Sequence, residues 1–149
     1  MDDKASIFRK FIGRNRQIYS SLIDSNNVVI EVKKVETLDE CCFGFKRVFW
    51  EQHPFDETAC NKWDLYAVDM CLEAYRNNGG AYVIPIDAIH YSGGNITKNF
   101  YASLNNLLKK YKHDKKKIIT TCVVASTYCP NLECLKLNII NGIRMRKKR

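Results

Sequence analysis

Proline and glycine are scarce in this chain, three and seven among 149 residues. That excludes collagen-like repeats and Pro- or Gly-rich linkers, and no low-complexity tract or internal repeat stands in their place. No stretch approaches the roughly 18 consecutive apolar residues of a membrane span. The opening MDDKASIFRKFIG begins with acids and has no apolar run long enough for a signal peptide. The expectation is therefore a cytoplasmic or nuclear protein, not secreted, with no membrane partner. No Gly-x-Gly-x2-Gly or P-loop pattern occurs, so nucleotide binding through a glycine cradle has no support. There is no Cys-x2-Cys pair, which argues against zinc, although His53-x6-Cys60 and Cys129-x4-Cys134 could supply ligands from loops. Seven cysteines is an odd number, which argues against a disulfide framework and leaves a homodimer open through an intermolecular contact. Cys42, Cys71 and Cys122 lie within apolar patterns and read as small core residues. His53, His90 and His113 could each serve a thiol nucleophile, but no spacing singles one out.

What is present is an ordinary globular balance, 46% hydrophobic and 27% charged, long enough for one domain with a real core. Basic residues outnumber acids by 24 to 16, a net charge of +8. Such a balance attracts polyanions, nucleic acid or an anionic membrane surface, and otherwise speaks only to solubility.

Apolar residues at helical spacing predict a helix over 5–23, with Gly13 as a break point. VVIEVKKV follows as a β-branched strand. Thr37 and Glu40 form a capping box that predicts a helix from there to about residue 50. EQHPFDETACNK reads as a loop. LYAVDMCLEAYRNN reads as a helix capped near Asp64, with Gly79 as its C′ residue. AYVIPID is a strand limited by Pro85. Thr97 caps a further helix carrying Phe100, Tyr101, Leu104, Leu107, Leu108 and Tyr111. IITTCVVAS reads as one buried strand. Leu135, Leu137 and Ile139 alternate up to Asn141-Gly142, then Ile143 and Met145 alternate again, predicting a C-terminal β-hairpin. A short helix from Asn131 competes for its first half. The order predicts a single α/β domain over 1–149, a mixed β-sheet flanked by helices, with a basic tail at 144–149.

In NNVVIEVKK, Glu31 and Lys33 share one face of a strand, as alternation requires. A solvated edge would look the same. A divalent-metal nuclease needs carboxylates around Mg²⁺, a hard ion that takes oxygen ligands, and a cation near the phosphate. Asp24, seven residues before Glu31, could be the second carboxylate. The run D-x6-E-x-K from Asp24 to Lys33 resembles the PD-(D/E)xK superfamily of restriction-endonuclease-like nucleases and Holliday-junction resolvases. AVDMCLEAYRNNGGAYVIPID is similar to the resolvases, where a helix ends in Gly-Gly before an apolar strand. The resemblance implies Asp24 and Glu31 as Mg²⁺ ligands and Lys33 as the catalytic lysine. The chain departs from the family in having Leu22-Ile23, not Pro, before Asp24.

Three basic clusters remain. They are Arg9, Lys10, Arg14 and Arg16; Lys109, Lys110, Lys112, Lys115, Lys116 and Lys117; and Arg144, Arg146, Lys147, Lys148 and Arg149. Each can contact phosphates, which supplies affinity without sequence choice. Tyr101, Tyr111 and His113 could stack on exposed bases. Solvated helix faces, a frayed tail or a nuclear localisation patch are the other readings. The sequence thus predicts a DNA- or RNA-binding protein, with Mg²⁺-dependent cleavage as its sharpest chemistry and a non-catalytic binding or interaction module as the alternative.

Overall fold

The computed structural model describes residues 8–11, 17–20, 32–40, 42–61, 63–84 and 96–146, with backbone alone at 8–11, 17–20, 33 and 144–146. In order the elements are β1 (Phe8–Phe11), β2 (Gln17–Ser20), β3 (Lys33–Val35), α1 (Arg47–Gln52) and α2 (Tyr66–Arg76). Then come β4 (Ala81–Val83), α3 (Lys98–Lys110), β5 (Lys117–Ile119), β6 (Val124–Ser126) and α4 (Pro130–Arg146).

The core forms where two amphipathic helices meet. α3 turns Phe100, Tyr101, Leu104, Leu107 and Leu108 inward at helical spacing, and Tyr111 continues that face just past its end. Val68 and Leu72 of α2, Ile118 of β5, Ala125 of β6 and Cys134 of α4 close around them. A smaller cluster of Val35, Cys71 and Ala81 joins the β3–β4 pair to α2. Thr97 caps α3 as expected, its hydroxyl accepting from the Asn99 and Phe100 N–H groups at 3.2 and 3.5 Å.

α2 ends in a Schellman turn. The Gly79 N–H reaches Ala74 O at 2.8 Å and the Asn78 N–H reaches Tyr75 O at 3.2 Å. Asn78, at φ 59°, takes the left-handed position expected of Gly79. Gly79 is needed one residue on, because a Cβ there would meet Ala74 O at 2.9 Å.

The class is α/β as expected, built from helices and small sheets, but among the described residues the strands form three separate two-stranded antiparallel pairs rather than one mixed sheet. Each strand spans three or four residues. The helix expected over 5–23 is replaced by β1 and β2, with Phe8 opposite Ser20 and Phe11 opposite Gln17. Aromatic and β-branched residues suit that pairing, and Gly13 and Asn15 separate the two strands in sequence.

The helix expected from Thr37 begins only at Arg47. The Thr37 hydroxyl is buried and donates to Ile119 O at 2.6 Å, 82 residues away, so it caps nothing. The single strand expected at IITTCVVAS is the β5–β6 hairpin. The Thr120 hydroxyl accepts from the Cys122 and Val123 N–H groups at 3.1 and 2.9 Å and folds the run back on itself.

A hairpin thus stands in the C-terminal part of the chain, but upstream of the expected place. Asn141-Gly142 instead lies within α4, which begins where the competing short helix was expected and runs on through the second half of the expected hairpin as well. Cys134 is buried against the core and the Tyr101 hydroxyl donates to Leu137 O at 3.3 Å. That docking on α3 offsets the cost of one helical glycine, about 1 kcal/mol.

Candidate functional site

Two groups of polar and aromatic side chains stand out. The first centres on Lys110, at the end of α3. Its Nζ lies 3.0 Å from Asp56, 2.9 Å from Asp69 and 3.3 Å from Glu73. The Tyr111 hydroxyl sits 2.7 Å from Asp69 and 2.8 Å from Glu73 and can donate to one of them at a time. Asp69 is buried, and burial raises its carboxyl above the ordinary range against the pull of Tyr111 and Lys110. The Thr58 hydroxyl, the Ala59 N–H and Lys110 hold Asp56 below it. Arg76, over the Tyr111 ring, pairs with Glu73 and Asp114. The network fastens α2, α3 and the 56–59 turn together. Every charge in it has a partner, and it is structural.

The second group surrounds Glu40. Its Oε1 is sealed from solvent with no hydrogen-bond partner among the described residues. Burial, with the nearby Asp39 and Asp64 carboxylates, pushes its pKa up to about 7, against the backbone N–H groups of Glu40 and Leu65. Burial raises Asp64 as well. Leu65, between Asp64 and α2, is held at φ 70°, a left-handed conformation that costs a leucine about 1–3 kcal/mol and survives only where its surroundings dictate it.

Four rings, among them Tyr66, which follows Leu65 in sequence, form a closed square. Phe43–Phe45, Phe45–Phe55, Phe55–Tyr66 and Tyr66–Phe43 centroids are 5.6, 5.9, 5.7 and 5.7 Å apart. Trp63 extends one corner at 6.2 Å, and Phe49 with His53 extends another. The square forms because Pro54 follows α1 in sequence and the Asp56 carboxylate, accepting from Thr58 and Ala59 N–H groups at 3.0 and 2.9 Å, bends the chain back. Trp63 is 88% exposed, and Trp50, Phe45 and Phe55 are close to half exposed. A carboxyl that titrates near neutrality can give or take a proton.

Asp24 and Glu31 lie outside the described residues, as do Arg14, Arg16 and Lys147. Lys33 opens β3 opposite Val83. Arg9 and Lys10 lie in β1 opposite Tyr19 and Ile18, and Arg144 and Arg146 fall in the last turn of α4. Of the central lysines, Lys110 is turned into the acidic network and Lys115 reaches Glu36 at 3.4 Å. Lys109, Lys112, Lys116 and Lys117 are exposed. Tyr101 and Tyr111, expected to stack on bases, are core residues at 7% and 1% exposure, while His113 is exposed. Cys71 is buried and Cys122 packs at the core edge, but Cys42 is exposed because its helix did not form. Among the described residues no three His, Cys, Asp or Glu side chains are grouped to hold a metal ion, and no helix is long and apolar enough to cross a membrane. Sequence reading passed over Glu40 because a capping box accounted for it. The run of seven rings from Phe43 to Tyr66 was the available signal.

No protein-family model matches the chain, and no solved structure matches it. Among curated proteins it is similar to "ATP synthase subunits region ORF 6" of Fuscovulum blasticum, at 28% identity over 95 residues. The match takes in 60% of this chain, and the chain spans only 35% of that relative's length.

Proposed function

We propose that the ring square and Glu40 form a site that binds a neutral, polyhydroxylated ring ligand of the carbohydrate class and exchanges a proton with one of its hydroxyls. The observation that carries this reading is a linked group of rings left open to solvent, with a carboxyl near pKa 7 close to Leu65, the residue before the Tyr66 ring. Flat aromatic faces stack on the C–H faces of a ring. The Asp39 and Asp64 carboxylates near Glu40 repel phosphate and can accept hydrogen bonds from hydroxyls. Glu40, half ionised near neutral pH, is suited to act as a general base toward a hydroxyl.

Trp63, at a corner of the ring group, is one of the chain's two tryptophans, so intrinsic fluorescence reports this surface. Titration with a panel of neutral mono- and oligosaccharides should give a saturable change. Trp63→Ala should weaken it by about tenfold, equal to roughly 1.4 kcal/mol. A flat response across the panel, or an undiminished one in Trp63→Ala, defeats the proposal.

A second reading rests on a different observation. Lys109, Lys112 and Lys116 are exposed and have no ion-pair partner among the described residues, in a chain of net charge +8. They favour nucleic-acid binding in the cytosol or nucleus, by a monomer or a homodimer. Mg²⁺-dependent cleavage by Asp24, Glu31 and Lys33 is the chemistry that the nuclease resemblance adds to it. Oligonucleotide binding should weaken steeply with salt, and changing the three lysines to Glu should cut the slope of log K against log salt by about 2–3. A salt-independent signal, or an unchanged slope, excludes this surface. Cleavage of an oligonucleotide with added Mg²⁺, lost in Glu31→Ala, is the result the catalytic form requires.

A further inference from the structure

α4 is apolar on two opposite faces. Cys134 and Leu137 face α3 and the core. Leu132, Leu135, Ile139 and Ile143 recur at three- and four-residue intervals on the other side, and each is more than half exposed. At 1.5 Å per residue the stripe runs about 16 Å along the helix. Ile140, 36% exposed, widens it. Nothing among the described residues covers it.

The charge along α4 is basic in excess. Lys136, exposed beside the stripe, lies 3.7 Å from Glu133, and Arg144, Arg146, Lys147, Lys148 and Arg149, with no acid among them, follow in sequence. Glu133 is the single acid of α4, and it lies under β6, near the Ser126 N–H at 3.4 Å. A second copy paired in parallel would set two basic ends together. Paired antiparallel, each basic end would meet one turned-away acid. A nucleic acid would take the charges and leave the aliphatic row in water. A bilayer surface with anionic headgroups accepts both, the row among acyl chains and the cations at the phosphates.

We propose that α4 docks this protein onto an anionic membrane surface, lying in the interface and not crossing it. The expectation of no membrane partner rested on the absence of a spanning segment, which says nothing of a helix lying flat.

Flotation of the full chain with phosphatidylcholine vesicles, with and without phosphatidylserine, tests this. Binding is expected to the anionic vesicles and to fall as salt rises. Leu135→Glu/Ile139→Glu should lower partitioning by about 100-fold, on the order of tenfold for each apolar side chain withdrawn from the bilayer. Both side chains are already in water, so the melting temperature should hold, and Ile139→Gln alone should give about tenfold. Undiminished binding by the double variant overturns the proposal, as does no binding at low salt. So does light scattering that finds a wild-type dimer broken by the same changes, which would make the stripe an interface between copies.

Discussion

Replacing Glu40 by Gln should stabilise the protein, and only above the pH at which Glu40 ionises. The folded carboxyl titrates at about 7 against an ordinary 4.5. Between those values the folded state holds more protons than the unfolded chain, so this group's contribution to stability falls as pH rises. Below about 4.5 the group imposes no cost, and above 7 it imposes all of it. The separation, at roughly 1.4 kcal/mol for each tenfold, is worth about 3 kcal/mol. Glutamine keeps the shape and removes the titration. Urea unfolding followed by circular dichroism should find Glu40→Gln within about 0.5 kcal/mol of wild type at pH 4 and more stable by about 3 kcal/mol at pH 8. Asp69 is also raised, but it is common to both proteins and cancels in the difference, while Asp64, which faces Glu40, loses that repulsion in the variant and adds to the gain at high pH. A difference that is the same at both pH values refutes the reasoning, as does a variant less stable at pH 8. If Glu40 also transfers a proton to a ligand, the more stable variant should bind that ligand and fail to turn it over, the sign of a group kept for chemistry at a cost in stability.

Lys110→Met strands Asp69 beside Glu73 without a counter-charge and should cost about 3–5 kcal/mol in denaturant at pH 7. The deficit should shrink as the pH drops and the carboxyls protonate. Gly79→Ala forces a Cβ to 2.9 Å from Ala74 O and should lower stability by about 1–2 kcal/mol, while Asn78→Gly, at φ 59°, should gain a few tenths. Thiol labelling with mass mapping should find exposed Cys42 and Cys129 fast. Cys71 and Cys134, buried with pKa values near 11, should stay protected until the chain unfolds. Equal rates for Cys71 and Cys42 would contradict the packing of α2.

α2 and α3 were legible because their burial is local: one stripe every 3.6 residues faces one core, and Thr97 bonds to residues two and three places on. α4 misled for a physical reason. Its inward row and its exposed row lie on opposite faces, so apolar residues fall at Leu135, Leu137 and Ile139 in an alternation that mimics a strand. An apolar pattern reports that faces are apolar, and a helix with two such faces and a strand with one can write the same letters.

The site was illegible for the complementary reason. Thr37 and Glu40 have the spacing of a capping box, a motif whose two bonds are worth about 1 kcal/mol each. A buried hydroxyl with a carbonyl partner 82 residues away competes on equal terms, and Ile119 takes Thr37. With no cap, no helix starts among the described residues before Arg47, and Phe43 and Phe45 reach Tyr66 and Phe55. Glu40, released from any helix, is left beside Leu65 with one oxygen unanswered. The Thr37–Ile119 hydrogen bond and the ring packing therefore act together against the expected helix, leaving Glu40 as a buried acid near Leu65. Thr37→Val, which removes that bond while the ring packing favours the same chain path, should lower stability by about 1–2 kcal/mol and leave the fluorescence of Trp50 and Trp63 unchanged. A gain in helix content on circular dichroism would mean instead that the Thr37 bond alone holds residues 37–46 out of the helix.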